Sequence, residues 1–410
     1  VETKLNQRPS KNNKDLKILN RMLVLNTIRH KGPIARSEIA KLIGLVAPTV
    51  TVIVNQLIKK KIIQEVGRGE SSGGRKPVML ELNPRAGYIF AVRVQRGEIV
   101  TALLDLASNL LENRRQMLDT TNAEDVVAAI GSSFDLITAN LQIAKNKVLC
   151  CGVASPGLVD SHCGIVERSS NMVWGRVPLG EMLSQRLTNL PVHIENISNA
   201  AALGEKMYGS GSACANLIYL NLSVGIGAGI IINNQLFGGA HGYAGEIGTV
   251  TNQLNPEGLV NYSNFEMLCG IRAIVNKVKA AVTDETFRKY GLSKNRINIF
   301  EILHHPWIEI PAIREILLET SHQIGIKVAE LVNLFNTEMV VLGGELTWAG
   351  NLLLNTVAET VEKNTLPEMS ESVKIIISTM KEDPPLMGAY ALVLEKLFQS
   401  EPWLSDKIID

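Results

Sequence analysis

The sequence lacks any apolar run of the roughly 18–20 residues that a membrane-spanning helix requires. Its N-terminus is polar and has no signal-peptide core. These absences exclude a membrane class and lead to the expectation of a cytoplasmic protein. Cysteine is scarce: Cys150, Cys151, Cys163, Cys214 and Cys269 are the five present, and none forms a CxxC pair. Adjacent Cys150 and Cys151 sit in an apolar run, which suits reduced, partly buried thiols better than a disulfide framework. No metal site is expected on them. No repeat of solenoid length is present. What remains is an ordinary globular composition, 46% apolar and 20% charged over 410 residues. That length predicts two or three domains.

The formal net charge of +1 conceals a division. Residues 1–85 hold 17 Lys and Arg against six acids, an excess of +11. The remainder holds 24 against 34, or −10. A basic head on an acidic body suggests a polyanion-binding module joined to something with another task, although a merely solvated basic surface has the same count.

Residue order inside the head decides between them. Asn13 to His30 carries apolar residues at Leu16, Leu19 and Leu23 and at Ile18, Met22 and Leu25, a helical stripe ended by Gly32-Pro33. A short second helix follows, with Ala35, Ile39, Leu42 and Ile43 on one face and Gly44 as its stop. In the third, Val50, Ile53, Val54, Leu57 and Ile58 make one buried face, and Pro48 is tolerated in the first turn. The opposite face presents Ala47, Thr51, Asn55 and Lys59, with Thr49 and Gln56 beside it. Small side chains suit thymine methyls, and amides suit adenine edges. Three such helices with a tight turn predict a helix-turn-helix.

Two β-prone runs, Ile62–Val66 and Val78–Leu82, bracket a glycine-rich basic loop and predict a wing. Arg75 and Lys76 in that loop are suited to a narrow minor groove. Thr51, Asn55 and Arg75 are the candidates for base readout, and Arg36, Ser37 and Lys59 for phosphates.

Past Arg85, strand-like and helical runs alternate, predicting an α/β body of two lobes. Val224-Gly225-Ile226-Gly227-Ala228-Gly229 is followed by Ile230-Ile231-Ile232 rather than by a helix, so it is no dinucleotide fingerprint and is expected between two strands.

Five segments in order carry a resemblance: Val148–Asp160, Val192–Glu205, Gly225–Gly229 with Gly245-Glu246-Ile247-Gly248, Val340–Leu346 and Met387–Leu392. They resemble the ROK family, which joins repressors with sugar kinases, and with the basic wing they look most like its xylose-repressor branch. The resemblance implies a winged helix-turn-helix over residues 1–83 and an actin-like, sugar-kinase body. Its first lobe would span 84–205, completed by a helix at about 386–400, and its second 206–385. It also implies sugar contacts from Asn196, Glu246 and Glu266, with Asn171 edging the same cleft. A strand-end carboxylate is the plain alternative for Glu246, and a helix cap for Asn196.

Against the kinase pattern, the catalytic Asp of a Glu-Asn-Asp triplet is Ile197 here, which has no titratable group. The Asp-x-Gly-x-Thr phosphate motif is matched by Arg93-Val94-Gln95-Arg96-Gly97. The family's zinc ligands fall at Thr249 and at Glu257, Leu259 and Asn264, which supply neither imidazole nor thiolate. The expectation is therefore no enzyme and no cofactor, but a dimeric, possibly tetrameric, repressor. It would bind a palindromic, A·T-rich duplex operator and sense a sugar inducer between its lobes. Control by a protein partner is the alternative, and residual sugar-kinase activity a remote one.

Overall fold

A computed structural model describes residues 13–70, 76–250, 264–291 and 293–399. The head consists of α1 (Asn13–Lys31), β1 (Ile34–Ala35), α2 (Arg36–Ile43), α3 (Ala47–Lys59), β2 (Ile63–Arg68) and β3 (Val78–Leu82). Gly44 ends α2 in the left-handed region at φ 68°, and its N–H bonds the Ala40 carbonyl. α2 and α3 then meet at 120°, within the range of a helix-turn-helix pair. Val50, Ile53, Val54 and Leu57 of α3 are buried and Ile58 half-buried. The strands form an antiparallel sheet in the order β1-β3-β2, and β2 and β3 flank the expected wing. Its tip, Ser71–Arg75, lies outside the described residues.

Four apolar residues differ from expectation. Leu16, Leu19 and Leu23 are 40–42% exposed, and Leu42 is 55% exposed. A helix offers one face to a small core, and α1 turns Met22, Val24, Leu25 and Ile28 inward instead.

The first lobe runs β4 (Tyr88–Gln95), β5 (Glu98–Asp105), β6 (Leu110–Met117), α4 (Ala123–Asn140), β7 (Val148–Ser155), β8 (Leu158–Asp160), β9 (Ile165–Arg168), α5 (Leu179–Arg186), β10 (Val192–Asn196) and α6 (Ile197–Tyr208). Its sheet order is β10-β7-β4-β5-β6, with β10, β7 and β4 parallel and the rest antiparallel. β6 escaped the sequence pattern because most of its side chains are polar and face solvent.

The second lobe begins with β11 (Leu217–Leu222), β12 (Ile226–Ile232) and β13 (Gln235–Leu236). After α7 (Phe265–Cys269), α8 (Ile271–Ala281), α9 (Asp284–Lys289), α10 (Ile299–Leu303) and α11 (Pro311–Phe335) come β14 (Met339–Gly343), α12 (Asn351–Asn364), α13 (Pro367–Ser370) and β15 (Lys374–Ile377). The order β13-β12-β11-β14-β15 repeats the plan of the first sheet. The glycine cluster is corrected here: only its start is a turn, and Gly227 and Gly229 belong to β12. They stay small because α6 lies on the strand; a Cβ at Gly229 would enter the Ser198 carbonyl and the Ala202 methyl.

α14 (Pro384–Gln399) returns to the first lobe and packs along α6, β7 and β4. A Cβ at Gly388 would overlap the Ala200 carbonyl, so glycine there sets how closely α14 and α6 approach. One hydrophobic cluster joins head and body: Leu25, Ile28, Val50 and Leu80 pack in it with Leu386, Tyr390 and Phe398. All five cysteines are free, and Cys150, Cys151 and Cys269 are buried. Among the described residues no single helix is long and apolar enough to cross a membrane.

Candidate functional site

Two surfaces carry the polar groups singled out above. On α3, Ala47, Thr51, Asn55, Gln56 and Lys59 are exposed and Thr49 is half-buried. Thr51 Oγ1 donates back to the Ala47 carbonyl at 2.9 Å. Val52, 57% exposed, occupies the middle of this face and escaped sequence reading because a β-branched apolar residue in a helix reads as core. The missed signal was angular: two steps of about 100° carry it away from buried Val50. Ser37 is exposed in the first turn of α2 and Lys76 at the foot of the wing. Arg36 pairs with Glu65 at 2.9 Å, so its guanidinium is engaged within the head before any phosphate arrives. Arg75 lies outside the described residues.

The second surface is a cleft of about 1040 Å³ between the two sheets. Asn171, Asn196, Glu246 and Glu266 all line it. Asn171 and Glu266 flank Gly225, where a Cβ would stand 2.7 Å from Asn171 Nδ2 and 3.3 Å from Glu266 Oε2. Glu266 Oε2 accepts the Ile226 N–H at 3.0 Å, which fixes its direction. Burial, then the neighbouring charge of Glu266, pushes the Glu246 carboxyl above its ordinary range, and Arg168 opposes them. Arg168 and Ser169 also line the cleft. The Ser169 hydroxyl is buried with no hydrogen-bond partner among the described residues. Neither was singled out from sequence: Ser169 opens the segment that holds Asn171, and Arg168 immediately precedes it.

Asn196 is the N-cap of α6: its Oδ1 accepts from Ser198 N at 2.8 Å and Asn199 N at 3.3 Å. Its Nδ2 donates to the Gly157 carbonyl at 2.9 Å, leaving one amide hydrogen for the cleft. Glu195 behind it is buried and accepts from Asn196 N and Asn199 Nδ2 at 2.8 and 3.0 Å. Thr249 Oγ1 donates to the Glu246 carbonyl, and Asn264 caps α7. Glu257 and Leu259 lie outside the described residues.

Next to Asn196, Ile197 packs with Ala154, Ala200 and Ala389. Arg93 is buried and ion-paired with Glu98 and, at 2.7 Å, with Asp383. Gln95 Nε2 donates to Glu345 Oε1 at 2.7 Å, joining the two lobes. Arg96 donates to the Asn171 carbonyl at 2.6 Å. The positions matching the phosphate motif are thus tied into internal polar contacts.

A two-lobed α/β body of repeated sheet plan, closed around a polar cleft and carrying a basic three-helix head, defines the class of protein. Residues 89–396 match the ROK family model, and the chain belongs to the ROK family. It is 32% identical over 389 residues to the xylose repressor of Caldicellulosiruptor bescii, covering 93% of this chain and 97% of that one. Among solved structures, a ROK family transcriptional regulator described as a homolog of the E. coli MLC protein aligns with a TM-score of 0.77 and 26% identity, over 93% of this chain and 97% of that one. A Streptomyces griseus ROK family glucokinase, solved with glucose and AMPPNP, aligns with a TM-score of 0.63 and 25% identity. It covers 75% of this chain and 99% of its own, and so lacks a counterpart to part of it.

Proposed function

We propose that the chain is a sugar-responsive transcriptional repressor of the xylose-repressor branch, with a winged helix-turn-helix head and a body that no longer phosphorylates. The observation that carries the reading is Ile197 packed among alanines at the catalytic-base position, in a chain whose third helix turns Thr51, Val52, Asn55 and Gln56 to solvent. A body without a base has no means to deprotonate a sugar hydroxyl, while the exposed face suits major-groove edges. Similarity to a named xylose repressor over nearly the whole chain supports the same reading.

Two copies related by a two-fold axis would present two α3 helices to a palindromic operator, with Arg75 and Lys76 probing the adjacent A·T-rich minor groove. Ser37 and Lys59 would take phosphates, and Arg36 would do so only by leaving Glu65. The inducer, xylose or a related sugar, would hydrogen-bond Glu246, Glu266 and Asn171, with Asn196 contributing its last amide hydrogen. Inducer acts by binding the DNA-competent and DNA-incompetent states with different affinity. A route between the sites exists in the packing: α6 starts at the cleft, lies along α14, and α14 ends against α1.

Operator binding by the purified chain, measured with and without D-xylose, tests the proposal. Specific binding weakened by sugar is the expected result. Binding indifferent to a panel of pentoses and hexoses would favour control by a protein partner, and turnover of ATP would restore the kinase reading.

A further inference from the structure

The cleft is larger than one sugar ring requires. Its volume of about 1040 Å³ stands at the top of the roughly 300–1,000 Å³ range of pockets that enclose drug-sized ligands. Asn171, Glu246 and Glu266 occupy one part of it. Another part is walled by aromatic side chains that the reading above does not use. Trp348 is 53% exposed and Phe300 44% exposed, and both line the cleft. Their ring centroids are 4.7 Å apart at an interplanar angle of 55°. His304 meets Trp348 edge-on at 5.4 Å, so the indole is braced on two sides while a large apolar surface stays open.

Beside this wall stands an unused acceptor. Glu345 Oε1 takes the Gln95 amide, but Glu345 Oε2 is buried and has no hydrogen-bond partner among the described residues. Glu345 and Trp348 lie three residues apart in a 3₁₀ turn spanning Glu345–Ala349, in which residues three apart eclipse one another. A carboxyl oxygen and an aromatic plane therefore share one face. A buried, unpaired carboxylate oxygen calls for a donor.

We infer that this part of the cleft is a second sugar subsite, so that the ligand is an oligosaccharide of at least two pyranose rings. The inference rests on the sugar-sensing reading of the preceding subsection. A pyranose supplies both features at once: a C–H face that packs on Trp348 and Phe300, and hydroxyls that donate to the Glu345 carboxyl group, whose buried Oε2 is reached when the side chain turns toward the cleft. A nucleotide also supplies a flat ring, and its ribose hydroxyls and amino group are donors, so its phosphates make the difference. They would meet Glu98, Glu345 and Asp383, which line the cleft. Of the arginines that line it, Arg93 is committed to two of those carboxylates, Arg115 pairs with Glu98 at 3.1 Å, Arg96 donates to the Asn171 carbonyl, and Arg168 stands by Glu246.

Calorimetric titration of the full chain with D-xylose and β-1,4-xylobiose, and with D-glucose and cellobiose, tests the inference. One disaccharide should bind at least tenfold tighter than its monosaccharide. Trp348→Ala should reduce that ratio to within about threefold while leaving the monosaccharide affinity unchanged, and Glu345→Gln should lower the ratio in part. Trp348 is one of four tryptophans; Trp174 and Trp307 are buried and Trp403 lies outside the described residues, so the disaccharide alone should shift an emission component that Trp348→Ala removes. Equal affinity for one and two rings, or a Trp348→Ala variant that weakens both alike while melting normally, would overturn the second subsite and leave the monosaccharide-sensing reading standing. Failure of every sugar to bind, with operator binding intact, would remove that reading and the subsite together. Tight binding of AMP-PNP that depends on Trp348 would assign the wall to a nucleotide and overturn the inference.

Discussion

The side-chain amide of Asn26 donates to the main-chain carbonyl of Phe398 at 3.1 Å, tying α1 of the head to the last turn of α14. The Arg29 guanidinium lies 4.7 Å above the Phe398 ring on the same contact. α14 runs back from there along α6, whose N-cap Asn196 stands in the cleft. Head and cleft are therefore joined by two packed helices in addition to the chain connection at Asn83.

This contact should govern response more than affinity. Asn26→Ala removes one hydrogen bond, worth about 0.5–1.5 kcal/mol. We expect operator affinity without sugar to change less than the sugar-induced loss of affinity, which should shrink severalfold. Fluorescence anisotropy on labelled operator with and without inducer measures both, and an undiminished sugar response would show that the signal travels elsewhere.

On the reading face, Asn55→Ala should cost about 1–3 kcal/mol at one operator position and little at the others. Val52→Ala should act at a neighbouring position by reducing packing on a thymine methyl. Competition against operators mutated one base pair at a time checks both. Uniform weakening across all sequences would make Asn55 a backbone contact.

Glu246 links stability to pH, and the sign follows from its carboxyl being pushed up by burial and by Glu266. At pH 7 the folded protein holds a charge that burial disfavours. As pH falls through the raised value, the folded state gains a proton before the unfolded one does, and stability rises until the ordinary carboxylate range is passed. Glu246→Gln should therefore raise the melting temperature slightly at pH 7–8, with the gain fading toward pH 4. The same variant should bind sugar about 10- to 100-fold more weakly, because a hydrogen bond to a charged group is lost. Melting curves across pH, paired with calorimetry, test the two halves separately.

Ile197→Asp restores the residue type that ROK kinases use as base, yet we expect no sugar-dependent ATP consumption. Arg93 still holds Glu98 and Asp383, and Gln95 still holds Glu345, where a phosphate motif would be needed. A coupled ADP assay with glucose and xylose is sufficient, and measurable turnover would mean that a single substitution had silenced this body.

The third helix was legible residue by residue, because Val50, Ile53, Val54 and Leu57 repeat at helical spacing and their burial follows. Gly44 and the wing strands were legible for the same local reason. The first helix was not: it carries two apolar stripes, and periodicity cannot say which one the core will take. Asn196 stood in sequence between a cap and a ligand contact. In the fold its oxygen caps α6, and one amide hydrogen remains for the cleft.

The sequence by itself determined the basic head and acidic body, the identity of Ile197 and the residue types at the zinc positions, because these are facts of composition and order. The tertiary structure decided what depends on partners remote in the chain. Gln95 and Glu345, 250 residues apart, meet across the cleft. Asn26 and Phe398, 372 residues apart, join head to body. Side-chain periodicity encodes which way a residue faces along its own element, whereas the partner it finds is fixed only when the two sheets and α14 close around one another.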